Sequence, residues 1–90
     1  MAQITHGMDP EAVKGLAAQM VKVADQIEAL SGQLTKQLAN TAWRGPDADA
    51  FKNDWQTTHL SQLKNVANAV RDAATRAQKN AEQQIATSSR

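Results

Sequence analysis

The sequence predicts an all-α fold, an antiparallel two-helix hairpin that dimerises into a four-helix bundle. Apolar residues recur at helical spacing through two long segments, and a single breaker region separates these segments. Only four Gly and two Pro occur among 90 residues, which argues against an all-β fold with its many tight turns. A chain of this length forms one small domain, so residues 1–90 are expected to be a single hairpin.

The first helix is predicted over about residues 9–39. Asp9 caps free amides, Pro10 suits the first helical position, and Glu11 favours the positive end of the dipole. Apolar residues then fill two heptad positions without a polar interruption. They predict a seam within the hairpin or between hairpins, formed by Val13, Leu16, Met20, Val23, Ile27, Leu30 and Leu34, and widened on one side by Ala17, Ala24 and Leu38.

Residues 40–45 are predicted to form the turn, because Gly45 followed by Pro is a strong breaker pair. The three aromatic residues of the chain, Trp43, Phe51 and Trp55, all lie in or close after this turn. Packing of Trp43 over Phe51 or Trp55 would close the end of the hairpin. A Trp on a turn is also a candidate binding element.

The second helix is predicted over about residues 46–84, with flexible tails at both ends of the chain. Its apolar stripe begins with the aromatic residues, thins to Leu and Val, and ends in Ala alone. The seam residues assigned to this helix are Leu63, Val66 and Val70. His59 falls on the same stripe and is predicted to be partly buried and hydrogen-bonded.

Composition and motifs exclude several classes of function. Ten basic and nine acidic residues give a net charge of +1, which does not suit a nucleic-acid-binding surface. The chain has no Cys and two His. No phosphate loop, no nucleophile with an adjacent base and no metal-ligand cluster is evident, so we expect no enzyme, cofactor or metal site. No stretch suits a membrane span, and residues 1–8 lack the pattern of a general secretory signal.

A lone hairpin would leave much of the apolar stripe in water. A chain this small rarely gains more than about 3–5 kcal/mol from one core. Association with a second hairpin into a four-helix bundle is therefore expected. The stripe does not distinguish a second copy of the chain from a different hairpin.

The segment Trp43-Arg44-Gly45-Pro46-Asp47-Ala48-Asp49-Ala50-Phe51 resembles the signature of the WXG family, and of its actinobacterial members in particular. The family comprises small secreted proteins that include the early secreted antigenic target. The likeness covers nearly the whole chain, from its length and two helices to the central Trp-x-Gly turn and the Phe six residues after that Gly.

The resemblance implies a hairpin that pairs as a homodimer or with a second WXG-type hairpin. It also implies export from the cytoplasm by a type VII (early-secreted-antigen) secretion system, without a cleaved signal peptide. The secretion ATPase then becomes a partner, and an association with virulence is implied as well. By the same resemblance, Trp43 and Gly45 form the turn and export-recognition motif, with Phe51 and Trp55 as the aromatics of the hairpin tip.

One family feature is missing. Many members, or their partners, carry a Tyr-x-x-x-Asp/Glu export element after the second helix, and this chain has no Tyr. Either a partner supplies the signal, or a degenerate version lies in residues 77–85. The absence also favours an alternative function, an intracellular helical adaptor or chaperone that escorts a signal-bearing partner. Membrane activity is disfavoured, because basic residues do not line the edges of the apolar stripe.

Overall fold

The computed structural model describes residues 8–88 and is a helical hairpin, with no strand among these residues. The elements are α1 (Pro10–Asn40), α2 (Pro46–Asp54), a π-helical turn (Trp55–His59) and α3 (Leu60–Ser88). The last three form one continuous second arm, and α3 packs back along α1. The rod measures 65 × 17 × 17 Å. The predicted helical hairpin is confirmed.

The start of α1 follows the capping chemistry of the sequence. The Asp9 carboxylate accepts hydrogen bonds from the backbone N–H groups of Glu11 and Ala12, at 3.1 and 3.3 Å. Pro10 is the first helical residue, where its missing N–H removes no hydrogen bond. The cap therefore fixes where the first arm begins.

The turn depends on a glycine conformation. Thr41 is extended after the end of α1, and Gly45 adopts a φ of 117°, the only positive φ among the described residues. The Gly45 carbonyl accepts the first backbone hydrogen bond of α2, from the N–H of Asp49 at 3.0 Å. The Lys52 ammonium donates to the Trp43 carbonyl at 3.0 Å and ties the turn to the second arm. A side chain at position 45 would strain this geometry.

The second arm remains helical for longer than the sequence predicts. α3 continues to Ser88, four residues past the expected end at residue 84. Residues 1–7 and 89–90, where tails were expected, lie outside the described part of the chain. Within residues 8–88, none of the helices combines the length and the hydropathy that a membrane span needs.

The two arms make contact through alanine. The buried residues of the long contact are spaced by seven, and they are Ala17 and Ala24 in α1 with Ala67, Ala74 and Ala81 in α3. Methyl side chains allow the helix backbones to come close, so the contact gains dispersion energy along its length. No large side chain of the described residues is fully buried in the single chain.

The π-helical turn shifts the phase of the second arm. Trp55 is buried, and the next inward residue is Leu60, five positions later rather than the three or four of an α-helix. The Leu60 N–H donates to the Trp55 carbonyl, as a π-turn requires. Because the turn accommodates one extra residue, His59 is displaced outward. The prediction of a partly buried His59 is wrong, and its side chain is exposed.

Candidate interaction surface

The aromatic side chains form a ladder at the closed end of the hairpin. The ring centroids of Trp43 and Phe51 lie 6.1 Å apart, those of Phe51 and Trp55 lie 6.3 Å apart, and those of Trp55 and His59 lie 6.4 Å apart. Such spacings are typical of interacting aromatic pairs. The structure thus brings together the three aromatics that the sequence placed near the turn.

The members of this ladder differ in burial. Trp55 is 7% exposed, and its indole N–H donates to the Thr35 hydroxyl at 2.8 Å. That hydroxyl in turn donates to the Ser31 carbonyl at 2.8 Å, so the buried indole has a partner held in place by α1. Trp43 and Phe51 are 41% and 37% exposed, and they leave ring surface available for another molecule.

One long side of the hairpin carries large apolar side chains that the single chain does not cover. Leu16, Val23, Leu30 and Leu34 of α1 are 56%, 38%, 62% and 36% exposed, and Val66 of α3 is 49% exposed. An open apolar groove on this side is lined by Ile27, Leu30, Ser31, Leu34, Trp55 and Leu63. Contiguous exposed apolar surface of this kind is typical of a protein-binding site.

This side has no charged residue at the helix positions that form it. We call it the uncharged face, and in α1 it comprises Val13, Leu16, Met20, Val23, Ile27, Leu30, Leu34 and Gln37. In α3 it comprises Leu63, Val66, Val70, Ala73, Ala77 and Asn80. Its border consists of Gln19, Gln26 and Gln33 on α1 and of Gln62, Ala69 and Arg76 on α3. Side chains at these spacings share one side of a helix.

The opposite side carries charged residues as well as the exposed Val21, and it joins the arms by ion pairs. The Arg71 guanidinium of α3 donates to both Glu28 carboxylate oxygens, at 3.1 and 3.0 Å, and to the Asp25 carboxylate at 2.8 Å. The hydrogen bond from Arg71 lowers the pKa of Glu28, and the same interaction raises the pKa of Arg71. Because all three side chains contact solvent, the cluster aligns the arms more than it stabilises them.

The Arg71 cluster was not predicted from the sequence. Its signal was weak, because the basic residue lies 43 positions beyond Glu28 and only the hairpin brings them together. A charged residue that flanks an apolar stripe, as Arg71 flanks Val70, is the kind of position where such pairs form.

The predicted seam residues are arranged differently from the buried contact. Five are exposed, as described above, and the other five are half-buried, namely Val13, Met20, Ile27, Leu63 and Val70. Within the hairpin, Ala17 and Ala24 are buried at the centre of the helix contact, where larger apolar residues were predicted. The reason is that Ala permits a closer helix approach than Leu or Val. The role of the ten residues between hairpins stays a prediction.

No group of three His, Cys, Asp or Glu side chains within residues 8–88 is arranged to hold a metal ion. Asp47 and Asp49 lie in the first turn of α2, where negative charge is favoured by the helix dipole. The surface described above offers apolar contact and hydrogen bonding.

Glycines on α1 do not mark a close approach within the hairpin. Positions Gly15 and Gly32 are exposed, and a Cβ at either would meet nothing within 4 Å.

Comparison of the chain with protein-family models, with curated proteins and with solved structures yields no match. The resemblance to the WXG family therefore stays an expectation from the sequence, carried by its turn signature.

Proposed function

We propose that this chain is a small export substrate or secretion partner of a type VII secretion system, and that it acts as one hairpin of a four-helix bundle. The observation that carries the proposal is the geometry of the tip. Trp43 is 41% exposed beside Gly45, whose positive φ favours glycine. The resemblance to the WXG family assigns export recognition to these same two positions.

The uncharged face supports the second half of the proposal. Its large side chains are exposed or half-buried, while the contact within the hairpin is made by alanine. Covering this face with the matching face of another hairpin would give the core that a single hairpin lacks. The bundle is accordingly the form in which we expect the chain to be exported.

The tip supplies a binding element for the export machinery. Phe51 supports the Trp43 ring from the second arm, and the Lys52 bond to the Trp43 carbonyl holds the turn. A rigid, partly exposed Trp is the kind of anchor that dominates protein interfaces. We propose the secretion ATPase as its partner, with the chain made in the cytoplasm and exported without a cleaved signal peptide.

The alternative function is an intracellular adaptor or chaperone that escorts a signal-bearing partner. The observation that favours it is the absence of Tyr from the chain, which removes the usual export element. An escort would use the same uncharged face. It would stay in the cell while its client left, which separates the two functions experimentally.

Export of two tagged variants tests the proposal. Trp43→Ala removes the anchor, and Val21→Ala is the matched control, because Val21 is also 41% exposed but lies on the side opposite the uncharged face. We expect the wild type and the control in the culture filtrate only when the secretion ATPase is active. The Trp43 variant should stay in the lysate, folded by circular dichroism. Retention of the wild type with an active ATPase and every candidate partner present would exclude the export function.

A further inference from the structure

We propose that a groove on the side opposite the uncharged face binds an acidic amphipathic helix of another protein. The groove is open, has a volume of about 380 Å³ and runs between α1 and α3. We call it the Val21 groove, and its lining includes Ala17, Ala18, Val21, Ala74, Thr75 and Gln78. The proposal does not depend on the four-helix bundle, because a hairpin that covers the uncharged face leaves this side open.

The shape of the Val21 groove fits a helix. Ala17 and Ala74 are each 3% exposed and form its floor, while Ala18 and Thr75 are exposed on the two arms beside it. Side chains this small let the backbone of a third helix come close to both arms, as in the binding of an amphipathic helix to a groove. Val21 is 41% exposed, so the apolar surface of the groove is not covered within the single chain.

Positive charge without an ion-pair partner borders the groove. Lys79 is part of the lining, and Lys14 and Lys22 lie one helical turn before and one after Ala18. In the part of the chain that the structure describes, the ion pairs are all made by Arg71. The three ammonium groups therefore have no carboxylate partner there, and a helix with carboxylates along both borders would supply one to each.

The acidic side chains beside the groove already have partners within the chain. The Glu82 carboxylate, which belongs to the lining, accepts a hydrogen bond from the Gln78 amide at 3.2 Å. Asp25 lies one turn after Val21 and accepts a hydrogen bond from the Arg71 guanidinium at 2.8 Å. Lysines thus outnumber carboxylates among the charged groups at the groove that form no ion pair. This difference favours an acidic partner over a basic one.

An anionic lipid surface is the other binder that lysines beside apolar surface attract. Helices that bind membranes insert large apolar side chains between the lipids, whereas this groove is concave and its apolar residues are Ala and Val. The Glu82 carboxylate in its lining would also be repelled by anionic headgroups. The groove therefore suits a protein helix better than a membrane, and vesicle binding is one outcome of the test.

Fluorescence anisotropy of a labelled synthetic peptide mixed with the purified chain tests the proposal. The acidic probe carries Leu along one side of the helix and Glu along both borders, and a covalent staple on its outer side holds it helical. A twin peptide with Lys in place of every Glu is the control probe. At low salt we expect the acidic probe to bind at least about 10-fold more tightly than its twin, and this ratio should shrink as salt is added.

Two matched variants locate the binding site. Val21→Asp places a charge in the groove and should raise the Kd of the acidic probe on the order of 10-fold or more. Leu16→Asp places the same charge on the uncharged face and should leave that Kd unchanged. Both side chains are exposed in the wild type, at 41% and 56%, so circular dichroism should show that both variants are folded.

Reversing one charge in the lining separates recognition from packing. Lys79→Glu should weaken binding of the acidic probe and strengthen binding of the Lys-bordered twin, each by about two- to fivefold. A variant that had only lost packing would weaken the binding of both probes.

Three results would overturn the proposal. The first is that neither probe binds, or that both bind equally well at low salt. The second is that Leu16→Asp abolishes binding and Val21→Asp does not, which would place the site on the uncharged face. The third is co-sedimentation with phosphatidylserine vesicles that Val21→Asp abolishes, in the absence of peptide binding, which would make a lipid surface the ligand. All three leave the export function standing, because the purified chain is tested without the secretion system.

Discussion

The closed tip and the open half of the hairpin hold their helices together in different ways. At the tip, one large side chain fills the space between the arms, since Trp55 is buried and hydrogen-bonded to Thr35. In the open half, methyl groups of residues such as Ala24 and Ala74 bring the backbones close, and no ring is present.

This difference determines what each region leaves for other molecules. The tip uses Trp55 internally and leaves the partly exposed rings of Trp43 and Phe51. The open half uses its smallest residues internally and leaves Leu16 and Val23 on the outside. A helix pair closed by alanine is thus compact along its contact and apolar on its outer face. We propose a partner for that surface, whereas the tip is already supported by contacts within the chain.

The largest expected effect is the loss of the Trp55 ring. Trp55→Ala removes the main filling of the tip and the hydrogen bond to Thr35, so the free energy of unfolding should fall by about 3–5 kcal/mol. Trp43→Ala, which removes a partly exposed ring, should cost less than about 1 kcal/mol. Urea unfolding followed by circular dichroism, at one protein concentration, measures both. Equal losses would mean that the tip is not organised around Trp55.

The matching change in the open half is Ala24→Leu. Position 24 is fully buried against the second arm, so a larger side chain must push the arms apart. We expect a destabilisation of about 1–3 kcal/mol. The control Ala29→Leu lies at an exposed position of the same helix and should be nearly neutral. If both variants unfold at the same urea concentration as the wild type, close alanine contact does not hold this half together.

The turn offers a smaller test of the tip. Gly45→Ala places a side chain at a φ of 117° and should lower the free energy of unfolding by about 1–2 kcal/mol. Gly15→Ala is a control in which the stability should change in the opposite direction, because Gly15 is exposed in the second turn of α1 with nothing near its Cβ position. That change should raise stability by about 1 kcal/mol. Thermal melting measures the stability of both variants. A Gly45→Ala variant that melts at a higher temperature than the wild type would contradict the geometry of the turn.

The smallest expected effect concerns the Arg71 cluster. The hydrogen bond from Arg71 lowers the pKa of Glu28 below its usual value of 4.5. The ionised Glu28 carboxylate therefore stabilises the folded state fully at pH values above the usual pKa of 4.5. This stabilisation is lost as the pH falls through the lowered pKa of the folded state. The difference in melting temperature between the wild type and Glu28→Gln should be small at neutral pH and should vanish in acid. It should also shrink with added salt, since the pair is exposed. A difference that persists in acid would point to packing rather than charge.

Much of the fold was predictable because its causes are local. The Asp9 cap, the Gly45 break and the helical period of the apolar residues each act within a few residues of chain, and each is present in the structure. The gathering of the aromatics near the turn was predictable for the same reason. The Arg71 pairs with Glu28 and Asp25 were not, because they join residues far apart in the sequence.

The sequence by itself determined where the two arms begin and where the chain reverses. Only the tertiary structure decided which stripe of each arm faces inward. Leu16 and Ala17 are neighbours whose directions differ by about 100° on a helix, and a seven-residue period marks both stripes equally well. The close approach of two backbones selects Ala17. In the second arm the π-helical turn decides between His59 and Leu60, because one extra residue in a turn rotates every residue that follows it.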